Sequence, residues 1–154
     1  MDGPDVVEDT RQAVAYCLAH PEWQLNVKKA SRHQMKISLA FKFEAAHWLP
    51  SVPQTHRCHR MHGHSYRIEI VLNGPVDPHT GFVADFFDLE ESFGIVLKRL
   101  DHQCLNQVPG LENPTAENIA IWIWERTKAR LAQLSIVRVY ETSDCWAEYE
   151  GPDH

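Results

Sequence analysis

Two stretches of alternating apolar and polar residues predict β-strands in the first half of the chain. Between residues 36 and 47 one parity consists of Ile37, Leu39, Phe41, Phe43, Ala45 and His47. Between residues 62 and 72 it consists of His62, His64, Tyr66, Ile68, Ile70 and Leu72. Side chains alternate between the two faces of a strand, so each strand has one face suited to burial. Asn73-Gly74 is a typical hairpin turn and predicts the end of the second strand.

The apolar spacing becomes helical further along the chain. Residues 76–81 predict a second turn, and residues 82–86 a further short strand. From Asp88 the apolar positions follow a helical period: Leu89, Phe93, Val96, Leu97 and Leu100. Thr115 is expected to cap a second helix. The apolar stripe of that helix is Ala116, Ile119, Ile123, Thr127, Leu131 and Leu134. Residues 136–142 predict a strand and residues 145–149 a short last one, so the order favours an α+β fold, an antiparallel sheet with two helices packed on one face.

The first 34 residues differ from the rest and predict an N-terminal extension ahead of a main domain over residues 35–154. Residues 8–19 have the apolar spacing of a short helix that ends before Pro21. Met35 stands immediately before the first strand. A second interpretation is therefore that translation starts at Met35 and that the extension reflects a choice of start site.

Length and composition are those of one globular domain, with 154 residues, 44% hydrophobic and 23% charged. The formal net charge of −6, without a basic stripe, argues against a nucleic-acid partner. No apolar run approaches the roughly 20 residues that span a bilayer, and the acidic N-terminus lacks the features of a secretory signal. The four cysteines form no Cys-x-x-Cys pair, which favours a reducing, cytoplasmic setting.

Three histidines stand where the two predicted strands would meet. His62 and His64 begin the apolar face of the second strand, and His47 ends that of the first. If the strands pair antiparallel, the three imidazoles meet at one rim of the sheet. Three protein ligands leave one tetrahedral position of zinc open, as in catalytic sites, although imidazoles also accept iron, nickel or copper. A His-x-His pair also occurs as core, as surface or by accident, and the chain has ten histidines.

Cys58 precedes these histidines in a loop that also holds Arg57, His59 and Arg60. Cationic neighbours and a nearby metal lower the pKa of a thiol, which favours a thiolate that acts as base or nucleophile. Two alternatives stay open at this point. Cys58 is an inert loop residue, or it is a fourth zinc ligand that closes a structural site.

Two further polar positions are candidates for chemistry. Asp101-His102, placed at the end of the first predicted helix, is suited to a proton relay in which Asp101 orients His102. The alternative is a solvated helix end. Glu141 shares a parity with Val137 and Val139, so it is expected on an apolar face. There it either receives an amino-pyrimidinone edge or takes part in an inter-strand salt bridge.

The ordered motifs resemble the 6-pyruvoyl-tetrahydropterin synthase superfamily over residues 36–150. They are Phe43-Glu44-Ala45-Ala46-His47, Cys58-x-x-x-His62-Gly63-His64, Val76-Asp77-Pro78-His79-Thr80-Gly81, Leu100-Asp101-His102, Leu105-Asn106, Glu112-Asn113-Pro114-Thr115-Ala116-Glu117 and Glu141-Thr142. The spacer of three residues between Cys58 and His62 resembles the 6-carboxy-5,6,7,8-tetrahydropterin synthase branch, which serves queuosine biosynthesis.

This resemblance implies a tunnelling fold (T-fold) and a zinc-dependent lyase. It implies that His47, His62 and His64 hold Zn²⁺, that Cys58 abstracts a proton, and that Asp101 and His102 form a relay, reaching across from a neighbouring subunit. It further implies that Glu141 anchors the pterin. The substrate would be 7,8-dihydroneopterin triphosphate, and the products 6-carboxytetrahydropterin, acetaldehyde and triphosphate. The expected assembly is a homohexamer, a dimer of trimers.

The remaining substrate contacts and the competing functions are less directly indicated. Arg57 and Arg60 are expected to contact the triphosphate, and Thr115 is a further candidate for substrate binding. One alternative is 6-pyruvoyl-tetrahydropterin formation, in which the side-chain carbons are kept. The other is a zinc-stabilised binding module without turnover.

Overall fold

A computed structural model of the chain describes residues 33–152, together with residues 12, 14 and 15. The chain divides into two units, residues 1–30 and 31–154, and all the strands and helices below belong to the second. Of the helix predicted over residues 8–19, Gln12, Val14 and Ala15 have helical backbone, and the rest of that segment lies outside the described residues. The boundary at residue 35 and the alternative start at Met35 stay predictions.

The two longest strands form one antiparallel pair. Strand β1 is Gln34–His47 and strand β2 is His62–Pro75, with Cα partners that run from Gln34 and Pro75 to His47 and His62. The predicted apolar parity is the one that faces the core, because Phe43, Tyr66 and Ile68 are almost fully buried. The alternation of the sequence therefore fixes which face of each strand is covered.

Two local predictions between β2 and the first helix are wrong. Asn73-Gly74 does not end β2, since the two residues pair with Lys36 and Met35, and the Asn73 N–H also donates to the Gln133 carbonyl at 2.9 Å. Residues 82–86 do not form a strand, because the Asp85 carboxylate accepts the Phe87 N–H at 2.8 Å and caps a helix there. Pairing between strands therefore replaces the predicted turn, and the Asp85 helix cap replaces the predicted strand.

Helix α1 is Phe86–Leu97 and helix α2 is Ala116–Thr127. Thr115 caps α2 as predicted, with its hydroxyl accepting the Asn118 N–H at 3.3 Å. The predicted stripe of α2 is right as far as Thr127, whereas Leu131 lies in the next turn and Leu134 begins a strand. Among the described residues, no helix is long and apolar enough to cross a bilayer.

The sheet has five strands in the order β3-β1-β2-β4-β5, where β3 is Gln103–Cys104, β4 is Leu134–Tyr140 and β5 is Trp146–Tyr149. β4 and β5 correspond to the strands predicted over residues 136–142 and 145–149. Four strands are antiparallel, and the two-residue β3 runs parallel to β1, which makes the sheet mixed.

Both helices cover the same side of this sheet. Phe93 of α1 and Ile119 and Ile123 of α2 belong to one core cluster with Ile68 of β2 and Val139 of β4. Burial of such a side chain contributes about 1.5–3 kcal/mol. The predicted α+β class and two-helix layer are confirmed, and the three histidines stand at one rim of the layered core.

Candidate metal centre

The register of β1 and β2 brings the three predicted histidines together. His47 pairs with His62, and Ala45 pairs with His64, so the three side chains leave neighbouring positions on one face. One ring nitrogen from each lies within 4.8 Å of the others. The Nε2 atoms of His47 and His62 are 3.0 Å apart. Among the described residues this cluster contains histidines alone, so it offers three nitrogen donors to one ion.

Backbone carbonyls set the tautomers of two of these rings. Nδ1 of His47 lies 2.8 Å from the Pro114 carbonyl, and Nδ1 of His62 lies 2.8 Å from the Arg60 carbonyl. A carbonyl only accepts, so each Nδ1 carries a hydrogen and each Nε2 keeps its lone pair. Two lone pairs then face each other across 3.0 Å. That arrangement is repulsive unless a shared cation lies between them, so the site fits a metal ion.

Burial makes two of the three imidazoles harder to protonate. Burial lowers the pKa of His47, which is 1% exposed. The charges of His62 and His64 lower it too, whereas the Pro114 carbonyl and Glu141 oppose them. Burial, and then the charge of His62, lowers the pKa of His64. A metal must displace protons from its ligands, so lowered pKa values favour binding at neutral pH.

Cys58 sits in a short 3-10 turn, Arg57–His59, between the two strands. Its N–H donates to Nδ1 of His56 at 3.1 Å, and its carbonyl accepts the Leu49 N–H at 2.8 Å. The thiol is free and half-buried. Its sulfur is not a member of the histidine cluster among the described residues, so a fourth ligand from Cys58 is not the observed arrangement.

The Asp101-His102 pair lies at the outer edge of β1, in the turn that follows α1. Nδ1 of His102 is 2.9 Å from Asp101, whose carboxylate also accepts the Glu44 N–H at 3.1 Å. This backbone contact, and then His102, lowers the pKa of Asp101. His102 has a φ of 56° and donates its own N–H to the Glu44 carbonyl at 2.6 Å. Glu44 thus holds both residues, while the His102 side chain is 78% exposed and that of Asp101 41%, as expected for the alternative of a solvated helix end.

The imidazole of His102 lines an open groove of about 550 Å³ together with Glu44, Gly63, His64 and Ser65. No hydrogen bond or ion pair of the described residues joins Asp101 or His102 to Cys58 or to His47 and His62. Within one chain Asp101 is thus bonded to His102, and this pair shares a groove with His64 without a hydrogen bond to the thiol.

Glu141 follows β4 and is half-buried near the histidines. Burial raises its pKa, the charges of His47 and His62 oppose that effect, and Glu117 adds to it. The carboxylate thus lies within electrostatic range of the metal centre. Among the described residues no ion pair includes it, so the inter-strand salt bridge is not observed. Glu117, in the first turn of α2, is a second carboxylate close to Glu141, and no periodic signal in the sequence indicates this proximity.

The other predicted substrate residues lie close to these groups. Arg57 and Arg60 are exposed on either side of Cys58, and Arg60 also provides the carbonyl that holds His62. Thr115 is half-buried, and its hydroxyl is engaged as the cap of α2. The alternating pattern predicts Tyr66 as a core residue, and in the structure it is buried with its hydroxyl 3.2 Å from Nδ1 of His47.

Comparison with known proteins identifies the family. The sequence model for 6-pyruvoyl tetrahydropterin synthase matches residues 36–152. The 6-carboxy-5,6,7,8-tetrahydropterin synthase of Synechocystis is 39% identical over 73% of this chain and 90% of its own. The dihydroneopterin monophosphate aldolase of Pyrococcus furiosus is 33% identical over 75% of this chain and 99% of its own.

Among solved structures, 6-pyruvoyl tetrahydropterin synthase of Caenorhabditis elegans superposes with a TM-score of 0.74 at 28% identity, over 79% of this chain and 99% of its own. Sequence, fold and the order of the motifs agree. The chain belongs to the 6-pyruvoyl tetrahydropterin synthase family.

Proposed function

We propose that this chain is a pterin-processing lyase that converts 7,8-dihydroneopterin triphosphate to 6-carboxy-5,6,7,8-tetrahydropterin, with release of acetaldehyde and triphosphate, in queuosine biosynthesis. The observation that carries the proposal is the convergence of His47, His62 and His64, with ring nitrogens within 4.8 Å, beside a loop that holds a free thiol. The similarity to the Synechocystis synthase and the three-residue spacer after Cys58 support the choice of product.

The metal proposed for the three histidines is Zn²⁺. An ion in an open three-imidazole site acts as a Lewis acid that polarises substrate hydroxyls and makes neighbouring protons easier to remove. Pro114 and Arg60 keep the Nε2 atoms of His47 and His62 directed at the ion through their carbonyls. The three-imidazole donor set and the expected open position support zinc, and metal analysis of the purified chain distinguishes it from iron, nickel and copper.

Cys58 is proposed to remove a proton from the substrate side chain, and His102 to return one. Asp101 keeps its negative charge because its pKa is lowered, and its carboxylate orients the His102 ring through the contact to Nδ1 at 2.9 Å. Since His102 lies against Glu44 in its own chain, we propose that it serves the thiol of a neighbouring copy. The active unit is then an oligomer, for which a dimer of trimers is proposed.

Glu141 is proposed to hold the pterin, since a carboxylate accepts two parallel N–H donors from an amino-pyrimidinone edge. This contact places the substrate side chain over the metal, so positioning contributes to the rate. Arg57 and Arg60 are proposed to bind the triphosphate. The overall charge of −6 makes such a local cationic pair necessary for an anionic substrate. Thr115, which caps the start of α2, is proposed to contribute to substrate binding.

The decisive experiment is incubation of the Zn²⁺-loaded protein with 7,8-dihydroneopterin triphosphate and identification of every product. We expect acetaldehyde, detected by NADH oxidation with alcohol dehydrogenase, and equimolar triphosphate and 6-carboxytetrahydropterin. Triphosphate without acetaldehyde would assign the chain to 6-pyruvoyl-tetrahydropterin formation, the activity named for the C. elegans protein. Metal binding without any product would favour the non-catalytic binding module.

A further inference from the structure

The side-chain amide of Asn106 makes three hydrogen bonds around the segment that follows His47. Its Oδ1 accepts the Trp48 N–H at 2.9 Å, and its Nδ2 donates to the Trp48 carbonyl at 2.8 Å. Nδ2 also donates to the Glu112 carbonyl at 3.2 Å. Both N–H donors of the amide and its oxygen are thus engaged with backbone.

The hydrogen bonds between Asn106 and Trp48 extend the pairing along β1 beyond the point where the backbone of β3 ends. β3 pairs with β1 only at Ala45 and Ala46, and the chain then turns into a 3-10 helix, Leu105–Gln107. In a parallel pair, one residue offers both its N–H and its carbonyl to the neighbouring strand. The Asn106 amide meets both groups of Trp48 in this way, so it replaces the missing strand at that position.

The residues on either side of Trp48 belong to the proposed site. His47 precedes it as a metal ligand, and Leu49 follows it and donates its N–H to the Cys58 carbonyl at 2.8 Å. The Glu112 carbonyl that Asn106 holds lies two residues before Pro114, whose carbonyl fixes Nδ1 of His47. Asn106 therefore connects three segments, which carry the ligand, the thiol and the carbonyl that orients the ligand.

We propose that Asn106 is a positioning residue that sets the geometry of His47 and Cys58 relative to each other. It touches neither a metal ligand's ring nor the thiol, so its effect is transmitted through the backbone of Trp48 and Leu49. The inference rests on the proposed function, in which His47 binds the metal and Cys58 reacts. It adds that the ligand and the thiol are positioned by one amide side chain.

The test compares Asn106→Ala and Asn106→Asp with the wild-type chain and with Gln133→Ala. The aspartate variant keeps the shape and the acceptor but puts oxygen where a donor stood, opposite two carbonyls. Gln133 is a matched control, because its side-chain amide also donates to a backbone carbonyl, that of Val83 at 3.2 Å. It lies against Gly74, at the opposite end of the β1–β2 pair from the histidines. Two quantities are measured on the full chain: Zn²⁺ affinity, by competition with a chromogenic chelator, and the rate of Cys58 alkylation by iodoacetamide, mapped by peptide mass.

We expect both Asn106 variants to bind Zn²⁺ about tenfold more weakly, as for outer contacts that orient metal ligands. We also expect the rate of Cys58 alkylation, measured as a function of pH, to differ several-fold from that of the wild type. Gln133→Ala should match the wild type in both. The added negative charge of Asn106→Asp favours a cation, so a loss of affinity there comes from the missing donor. Urea unfolding of each variant separates these effects from loss of fold.

Wild-type values for both quantities in a folded Asn106→Asp variant overturn the inference, even if Asn106→Ala does not fold. Failure of the proposed function has a different outcome, since the wild-type chain itself would then bind no metal or give no product. In that event the alkylation profile still decides whether Asn106 positions Cys58.

Discussion

The Nδ1–H groups of His47 and His62 are each committed to a backbone carbonyl, and this detail determines what their other nitrogens can do. Both Nε2 atoms are acceptors and stand 3.0 Å apart, with His64 completing the cluster. Because neutral rings in this arrangement repel each other, the folded protein pre-forms a cation site. In the proposed mechanism the histidines therefore bind the metal, and the thiol of Cys58 is left to react with the substrate.

Replacement of Cys58 and of a histidine should therefore have different effects. We expect Cys58→Ala to bind Zn²⁺ with wild-type stoichiometry and to lose at least about 100-fold in kcat, the usual range for a proton-transfer group. His62→Ala should lose the metal and the activity together. Metal content by atomic absorption and turnover by acetaldehyde release check both. A Cys58→Ala variant that loses its metal would instead make the sulfur a ligand.

The lowered pKa values of His47 and His64 predict the pH dependence of metal binding. Protons compete with the metal for the imidazoles, and an ordinary imidazole is half protonated at about pH 6.5. Burial shifts this competition to lower pH for His47 and His64. We expect the fall in the Zn²⁺ affinity of the wild-type chain to be centred below about pH 6.5. Isothermal titration at a series of pH values would contradict the argument if the fall were centred above about pH 6.5.

Among the secondary-structure elements, β1 and β2 show how much of the site could be predicted from the sequence. A period of two assigns each side chain to a face, so the shared face of His47, His62 and His64 followed from parity alone. Asn73-Gly74 wrongly predicted the end of β2, because turn preference is a local property, whereas the pairing of these residues with Lys36 and Met35 depends on a distant segment. The two-residue β3 and the proximity of Glu117 to Glu141 had no periodic signal, since both depend on tertiary packing.

The helix-free face of the sheet carries a charged network across β2, β4 and β5. Glu69 accepts hydrogen bonds from Arg67 and Arg138, at 3.0 Å for Arg138, which also pairs with Glu148. Burial works to raise the pKa of Glu69, but the hydrogen bond of Arg138 and the charges of both arginines outweigh it and lower the pKa below the ordinary 4.5. The Glu69 side chain is 13% exposed, so solvent screens this network only in part.

This network predicts a pH-dependent contribution to stability. Since the folded pKa of Glu69 is depressed, its contribution is complete above the unfolded value and is lost as the pH falls through the folded one. We expect Glu69→Gln to lower the free energy of unfolding by about 1 kcal/mol at pH 7. The difference should shrink as the pH falls below 4.5. Urea titrations at both pH values test it, with Glu91→Gln on the exposed side of α1 as a control that should change little.

On the scale of the whole chain, the hydrophobic core of the described residues lies between Ile37 and Tyr149. We expect a chain that begins at Ser31 to fold and to unfold cooperatively in urea, followed by circular dichroism, because none of that core is removed. A chain that begins at Met35 should be less stable by about 1 kcal/mol. It loses the bond from the Val76 N–H to the His33 carbonyl and the pairing of Gln34 with Pro75. Failure of the Ser31 chain to fold would contradict the assignment of the domain.

The proposed action of His102 on the thiol of a neighbouring copy predicts complementation between two inactive variants. If the thiol of one copy is served by the imidazole of another, Cys58→Ala still supplies His102, and His102→Ala still supplies Cys58. Refolding an equal mixture would place both intact groups in about a quarter of the sites of a symmetric oligomer. We therefore expect about a quarter of wild-type turnover in the mixture and close to none in either variant alone. The metal content of all samples should be equal, since neither substitution touches a histidine ligand. A mixture as inactive as its components would place His102 and Cys58 in the same copy, or outside the reaction, even though His102 is held by Glu44 at the far edge of β1.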